Sequence, residues 1–226
     1  MLEVAVFTAC WSVKGGSGTT VVATSLALAG RRVDRSALIA DLAGDVPAAL
    51  GLAEPPGPGL ADWLAAGPSV PDDALARLVV PVSGRVGLLA LGAAGADSSW
   101  ADHGAGVRLG HGLRALAGGA DLIVDCGRAD SAVLAALVES SDRSLLVLRP
   151  CYLALRRALA APRPTGVALM CEPDRALGAA DIEAVLGVPV LAEIAWDPAV
   201  ARAVDAGLMA TRIPRRLLHA LRGVAA

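Results

Sequence analysis

The run Trp11-Ser12-Val13-Lys14-Gly15-Gly16-Ser17-Gly18-Thr19-Thr20 decides how the rest of the chain reads. It lies between two segments of opposite character. Residues 2–12 (LEVAVFTACWS) are apolar, with β-branched and aromatic members, which is the pattern of a buried strand. Residues 20–29 (TVVATSLALA) read as a helix with Val21, Val22, Leu26 and Leu28 apolar and a stop at Gly30-Arg31. Strand, glycine loop and helix in that order make an anion cradle, because successive backbone N–H groups and the helix N-terminus converge on one point. Glycines let the backbone come close to the anion and adopt positive φ. Lys14 is the only lysine; the other cationic side chains are all Arg. An ammonium on a thin stem fits a tight loop where a wide guanidinium fork does not.

The whole chain is compatible with one globular α/β unit. It has 226 residues, 55% of them hydrophobic, and only four Trp, one Tyr and one Phe, so the expected core is aliphatic. The net charge of −2 argues against a generally basic nucleic-acid binder. No uninterrupted apolar run reaches the roughly 18 residues needed to span a bilayer. Residues 4–13 resemble a signal-peptide core, but no basic residue precedes them and the glycine loop follows, so a cytoplasmic location is expected. Cys10, Cys126, Cys151 and Cys171 lack paired short spacing and read as small buried hydrophobes; His103, His111 and His219 are scattered.

Strand-like runs at residues 36–41, 85–91, 122–125, 144–148, 166–171 and 188–194 alternate with helix-like ones. This rhythm predicts a single domain over residues 1–226 with a twisted, mostly parallel sheet of about seven or eight strands and helices on both faces. Ligands in such sheets bind at the carboxyl ends of the strands, where Lys14, Asp41 and Asp125 all fall. The stretch Glu54 to Gly59 (EPPGPG) reads as a loop inside the domain, and Asp45 as a helix N-cap.

The loop departs from the standard P-loop, in which Lys directly precedes the final Ser/Thr; here that slot is Thr19. Lys14 resembles the signature lysine of the deviant Walker motif (KGGxGKT) of the ParA/MinD superfamily of P-loop ATPases. With the later lysine missing, the pattern is most similar to the CpaE/TadZ branch, which positions Tad-type pilus assemblies. Further segments resemble the family in order: SALIAD (36–41) with the following LAGDVPAALGL, DLIVD (121–125) as a Walker B strand, SDRSLLVLRP (141–150), and a closing segment with Trp196-Asp197-Pro198.

The resemblance implies a nucleotide site of Lys14, Gly15, Gly16, Ser17, Gly18, Thr19, Thr20 and Asp41, taking ATP. It implies Mg²⁺ held by the Thr20 hydroxyl and by Asp125, usually through water. It implies a homodimer in which the early lysine crosses to the partner's nucleotide, and pilus or secretion assembly proteins as partners. Many CpaE proteins carry a receiver-like domain before the P-loop; with the P-loop strand beginning at Leu2, none is expected here.

Three departures bear on the nucleotide. Thr19 replaces the lysine that touches the β- and γ-phosphates, Ala43 replaces a second acid tied to the attacking water, and residues 167–171 lack an adenine-recognising Asn. Each lost electrostatic contact typically costs roughly 10²–10³ in rate. The expected function is therefore a spatial organiser with weak or absent ATP hydrolysis. The alternative is an active ParA/MinD switch that partitions DNA or cargo. A small-molecule synthetase or kinase of the same superfamily is a third reading, against which Lys14 argues, since that chemistry needs no cross-dimer lysine.

Arg156 and Arg157 form one basic group. Arg212, Arg215, Arg216 and Arg222 form another, along a short C-terminal helix whose other side is Leu217, Leu218, Leu221 and Val224. Such an end suits an anionic membrane at the inner face of the cell, DNA backbone, or docking of its leucines on the domain with Arg outward. Docking is the favoured reading, because the helix is short and lacks aromatic anchors.

Overall fold

In the computed structural model, residues 5–29, 36–53, 55–71, 73–93 and 98–225 are described. The predicted first strand appears as β1 (Phe7–Ser12); its expected start at residues 2–4, the stop at Gly30-Arg31 and Glu54 lie outside the described residues. Every residue of β1 is buried, and its side chains alternate between two cores. Phe7, Ala9 and Trp11 enter one, Cys10 the other, as the two-residue repeat of a strand covered on both faces requires.

Seven further strands follow: β2 (Ala37–Asp41), β3 (Val79–Ser83), β4 (Val86–Leu89), β5 (Asp121–Arg128), β6 (Arg143–Leu148), β7 (Gly166–Cys171) and β8 (Val190–Ala195). They form one sheet in the order β3-β4-β2-β5-β1-β6-β7-β8, parallel throughout except for the antiparallel β3–β4 pair. The sequence pattern did not single out β3. Pro81 interrupts its run, and a proline is tolerated there because β3 is an edge strand.

Helices α1 (Thr19–Ala29), α2 (Val46–Leu50), α3 (Leu60–Ala65), α4 (Ala74–Arg77), α5 (His103–Ala117), α6 (Ala132–Ser140), α7 (Tyr152–Ala158), α8 (Ala179–Leu186), α9 (Pro198–Asp205), α10 (Arg215–Ala220) and α11 (Arg222–Ala225) cover the sheet. Leu64, Leu109, Leu113, Leu137, Leu155 and Ile182, from α3, α5, α6, α7 and α8, pack on the Trp11 side. Val22, Leu50, Ala203, Leu217 and Val224, from α1, α2, α9, α10 and α11, pack on the Cys10 side. Truncating one of these fully buried leucines to Ala typically costs 2–5 kcal/mol. The aliphatic core expected from composition is thus split by the sheet into two layers.

The C-terminal helix differs from expectation. It breaks into α10 and α11 at Leu221, and Arg212 lies in the turn before Pro214. Leu217, Leu221 and Val224 are buried against the domain while Arg212, Arg215, Arg216 and Arg222 are exposed. Its apolar side is taken up by the core. Among the described residues no helix is long and apolar enough to cross a membrane.

Candidate functional site

Where β1 ends at Ser12, residues 13–18 turn over the carboxyl edge of the sheet into α1. β1 is flanked by β5 and β6 while its successor β2 lies beyond β5, so the loop sits at a point where the strand order reverses, the usual ligand position of such sheets. Gly16 (φ +72°) and Gly18 (φ +90°) occupy the left-handed region that side chains disfavour. A β-carbon on Gly15 or Gly16 would meet nothing within 4 Å, so the space above the loop is open. The loop is tied from beneath: the Ser17 hydroxyl donates to the Lys14 carbonyl (2.7 Å), and Ser12 donates to the carbonyls of Lys14 (3.2 Å) and Gly127 (2.9 Å). The first N–H groups of α1 precede any intrahelical acceptor and carry the positive end of its dipole.

From the β6 side, Arg149 donates to the Gly16 carbonyl and Arg157 to the Val13 carbonyl, both at 3.3 Å. Arg149 also pairs with Glu172 after β7, which Arg175 holds as well. Lys14 is half-buried, and its ammonium has no hydrogen bond or ion pair among the described residues.

Two carboxylates lie under the loop at paired positions of β2 and β5. Asp125 is fully buried; its Oδ1 accepts from the Gly127 N–H (2.9 Å), and among the described residues no hydrogen bond of good geometry reaches its Oδ2. Burial pushes its carboxyl up to about 7, against the Thr20 hydroxyl beside it, which favours the charged form; the neighbouring Asp41 adds to the rise. Asp41 is equally buried but saturated: Oδ1 accepts from Ala43 (3.0 Å) and Gly44 (2.8 Å), Oδ2 from Val46 (3.0 Å). Burial still outweighs these three bonds and lifts it to about 6. Asp45 occupies the N-cap position of α2 without a side-chain cap bond; Pro47 at the second helical position has no N–H to offer, and the Val46 N–H goes to Asp41.

A cleft of about 860 Å³ opens over this arrangement. Gly15, Gly16, Ser17, Gly18, Thr19 and Thr20 line it, facing Ala43 and Asp45 after β2, Arg128 at the end of β5, Asp130 just beyond it, and Trp100. Lys14, Asp41 and Asp125 are not among the lining residues: Lys14 stands aside and the two acids lie below. The structure therefore brings the loop, Thr20 and Asp125 together, and gives Asp41 the work of shaping the β2–α2 loop. Sequence reasoning gave no role to Arg128, although it lies three residues past Asp125 at the end of β5, or to Trp100, whose buried indole N–H has no partner among the described residues.

No family model matches the chain, and no curated protein matches it in sequence. Solved structures do. A ParA family ATPase from Chlorobium tepidum TLS superposes with a TM-score of 0.76 at 21% identity, over 97% of this chain and 98% of that one. The fold is that of the ParA and MinD ATPases. The septum site-determining protein MinD of Pyrococcus horikoshii, complexed with Mg-ADP, gives 0.74 at 20% identity over 98% and 94% of the two chains. Cobyrinic acid a,c-diamide synthase of Mycobacterium smegmatis, with a bound ATP analog and magnesium, gives 0.66 at 20% identity over 92% and 93%. The ParA/MinD fold thus accounts for the eight-stranded sheet and for the place of the glycine loop within it; at these identities the likeness speaks for the fold alone. Among the described residues, no group of three His, Cys, Asp or Glu side chains is placed to hold a metal by itself.

Proposed function

We propose that this chain is a nucleotide-binding ParA/MinD-type spatial organiser with slow or absent hydrolysis, of the CpaE/TadZ kind, acting as a homodimer on a pilus or secretion assembly. The observation that carries the nucleotide part is the fully buried Asp125 beside the Thr20 hydroxyl, its Oδ2 without a hydrogen bond of good geometry among the described residues, at the root of an open glycine loop. A buried carboxylate oxygen without a good hydrogen bond is costly, and a divalent cation or its water supplies what is missing. Magnesium keeps several waters and binds through one or two protein oxygens plus phosphates, which suits Thr20 and Asp125 where the described residues hold no cluster of three His, Cys, Asp or Glu. When bound, Mg²⁺ would neutralise phosphate charge.

The chain's own contribution is to hold. Gly15 to Thr20 would offer backbone N–H groups to the phosphates, Thr20 its hydroxyl to the cation, and Asp125 its carboxylate to a cation-bound water. Asp41, with both oxygens engaged, fixes the loop that carries Ala43 and Asp45 into the cleft. Ala43 packs against Gly127 and presents no group to orient an attacking water. Thr19 is buried and uncharged where a phosphate-binding lysine would stand. Phosphoryl transfer rests on such positioning, so binding is retained better than turnover. Exposed Arg212, Arg215, Arg216 and Arg222 remain available for DNA or headgroup phosphates as a secondary contact.

Titration calorimetry with ATP and Mg²⁺, followed by phosphate release, tests this reading. The expected result is magnesium-dependent binding, weakened at least about tenfold by Asp125→Ala, with turnover near background. Absence of binding would refute the nucleotide reading. Turnover at rates ordinary for active ParA proteins, abolished by Asp125→Ala, would make the protein an active switch.

A further inference from the structure

The cleft has an unfavourable charge balance for an anion. Among the described residues its lining carries three carboxylates, Asp45, Asp130 and Asp205, and one cationic side chain, Arg128. Lys14 is outside that lining and Thr19 brings no charge. We propose that Arg128 is the phosphate-facing cation of this cleft, taking over the electrostatic role that a lysine at position 19 would have, an assignment that rests on the nucleotide reading above.

The backbone explains how Arg128 comes to be there. β1 and β5 pair in step from Phe7↔Leu122 to Cys10↔Asp125, and then the register slips, so that Ser12 faces Arg128. Two steps along β1 thus match three along β5, a bulge, with Gly127 in the left-handed region at φ +54°. Bulges re-aim side chains at sheet ends, and this one carries the strand past Asp125 and turns Arg128 into the cleft. The bulge is held from both sides: Ser12 Oγ donates to the Gly127 carbonyl (2.9 Å) and Ala129 N–H to the Ser12 carbonyl (3.2 Å). Arg128 is therefore fastened to the root of the glycine loop itself.

Its guanidinium is held only loosely. Nε donates to Asp130 Oδ2 (2.6 Å) and Nη2 pairs with the same oxygen, leaving Nη1 without a partner among the described residues. Both side chains are more than half exposed, and exposed pairs of this kind are weak. A phosphate chain over Gly15–Thr20 offers more negative charge in bidentate geometry, for which a guanidinium is well shaped. Asp130 acts as a placeholder that keeps the fork extended at the cleft wall.

Calorimetry on wild type, Arg128→Gln and Asp130→Asn, with ATP, ADP, AMP and inorganic pyrophosphate in Mg²⁺, tests the assignment. Circular dichroism and thermal melting establish that each variant is folded, which is expected because only an exposed pair is lost. Arg128→Gln should weaken ATP and ADP by about tenfold or more, the size of one charge-assisted hydrogen bond, with much less effect on AMP. Asp130→Asn should tighten both by a few-fold, since the competing carboxylate is gone. Unchanged ATP and ADP affinity in Arg128→Gln, or an equal loss for AMP, would overturn the role of Arg128 while leaving the nucleotide reading intact. Pyrophosphate binding as tightly as ADP, with the same dependence on Arg128, would uphold the cation and overturn the nucleotide. No binding to wild type by any of the four would overturn both.

Discussion

Asp142 accepts the Phe7 backbone N–H (2.8 Å) and the Arg114 guanidinium (2.8 Å), joining the start of β1 to α5 at the opposite end of the sheet from the cleft. The Arg114 hydrogen bond holds its carboxyl below the usual carboxylate range; partial burial works the other way, and the Phe7 N–H adds to the lowering. A depressed folded-state pKa contributes stability that is present above about pH 3.9, the unfolded value, and is lost as pH falls through the folded value. Asp142→Asn should therefore destabilise the protein by about 1 kcal/mol at pH 7, after discounting for its exposure, and make stability less steep in pH below about 4. Urea unfolding of both proteins at pH 7 and near pH 3 measures this; an undiminished acid slope in the variant would show that other groups dominate. Asp125 faces the opposite physics, because burial without a saturating partner raises it. Its position at the end of an apolar strand was legible in the sequence, but the poor hydrogen bonding of its Oδ2 was not, because burial and partner geometry come from the assembled fold.

α2 and α9 meet through two glycines at their C-terminal ends, Gly51 (φ +72°) and Gly207 (φ +62°). A β-carbon on Gly51 would overlap the Gly207 carbonyl, and one on Gly207 would lie 2.7 Å from Gly51 Cα. Ala48 and Ala49 of α2 and Val204 and Asp205 of α9 line the cleft, so this contact sets its far wall. Gly51→Ala combines a left-handed backbone penalty with a backbone clash and should cost about 2–4 kcal/mol. Thermal melting would show a drop of several degrees, and a melt within a degree of wild type would mean that the two helices part without cost. Elements were legible where pattern and burial agree. β7 (Gly166–Cys171) matches its apolar run residue for residue, and β2 differs from its own by one. β3 was hidden by Pro81, the overrun of β5 to Arg128 by a bulge that leaves no hydrophobic signature, and the break between α10 and α11 by leucines that continue across it.

At the scale of the whole molecule, Lys14 and α7 come together at the carboxyl end of the sheet, after the neighbouring strands β1 and β6. Arg157 of α7 donates to the Val13 carbonyl next to Lys14, and the same short helix leaves Tyr152 (77% exposed) and Leu153 uncovered, with Leu159 just beyond its end. An ammonium without a partner among the described residues, next to a residue that α7 contacts, and a helix with uncovered apolar side chains suit a face that a second copy of the chain would close. The lone lysine was legible in the sequence as an anomaly among arginines; its lack of a partner among the described residues required the fold. If Lys14 crosses to neutralise phosphate on a partner subunit, Lys14→Ala should abolish association that depends on ATP and Mg²⁺ while the monomer stays folded. Lys14→Arg should also be impaired, because the broader fork must enter the partner's loop of Gly15, Gly16 and Gly18. A surface lysine without that role would tolerate both changes to within about 0.5 kcal/mol. Sedimentation of wild type and both variants, with and without ATP and Mg²⁺, separates these cases. Nucleotide-dependent dimers in wild type alone are the expected result. Equal association of all three proteins in both conditions would leave a scaffold whose assembly nucleotide does not control.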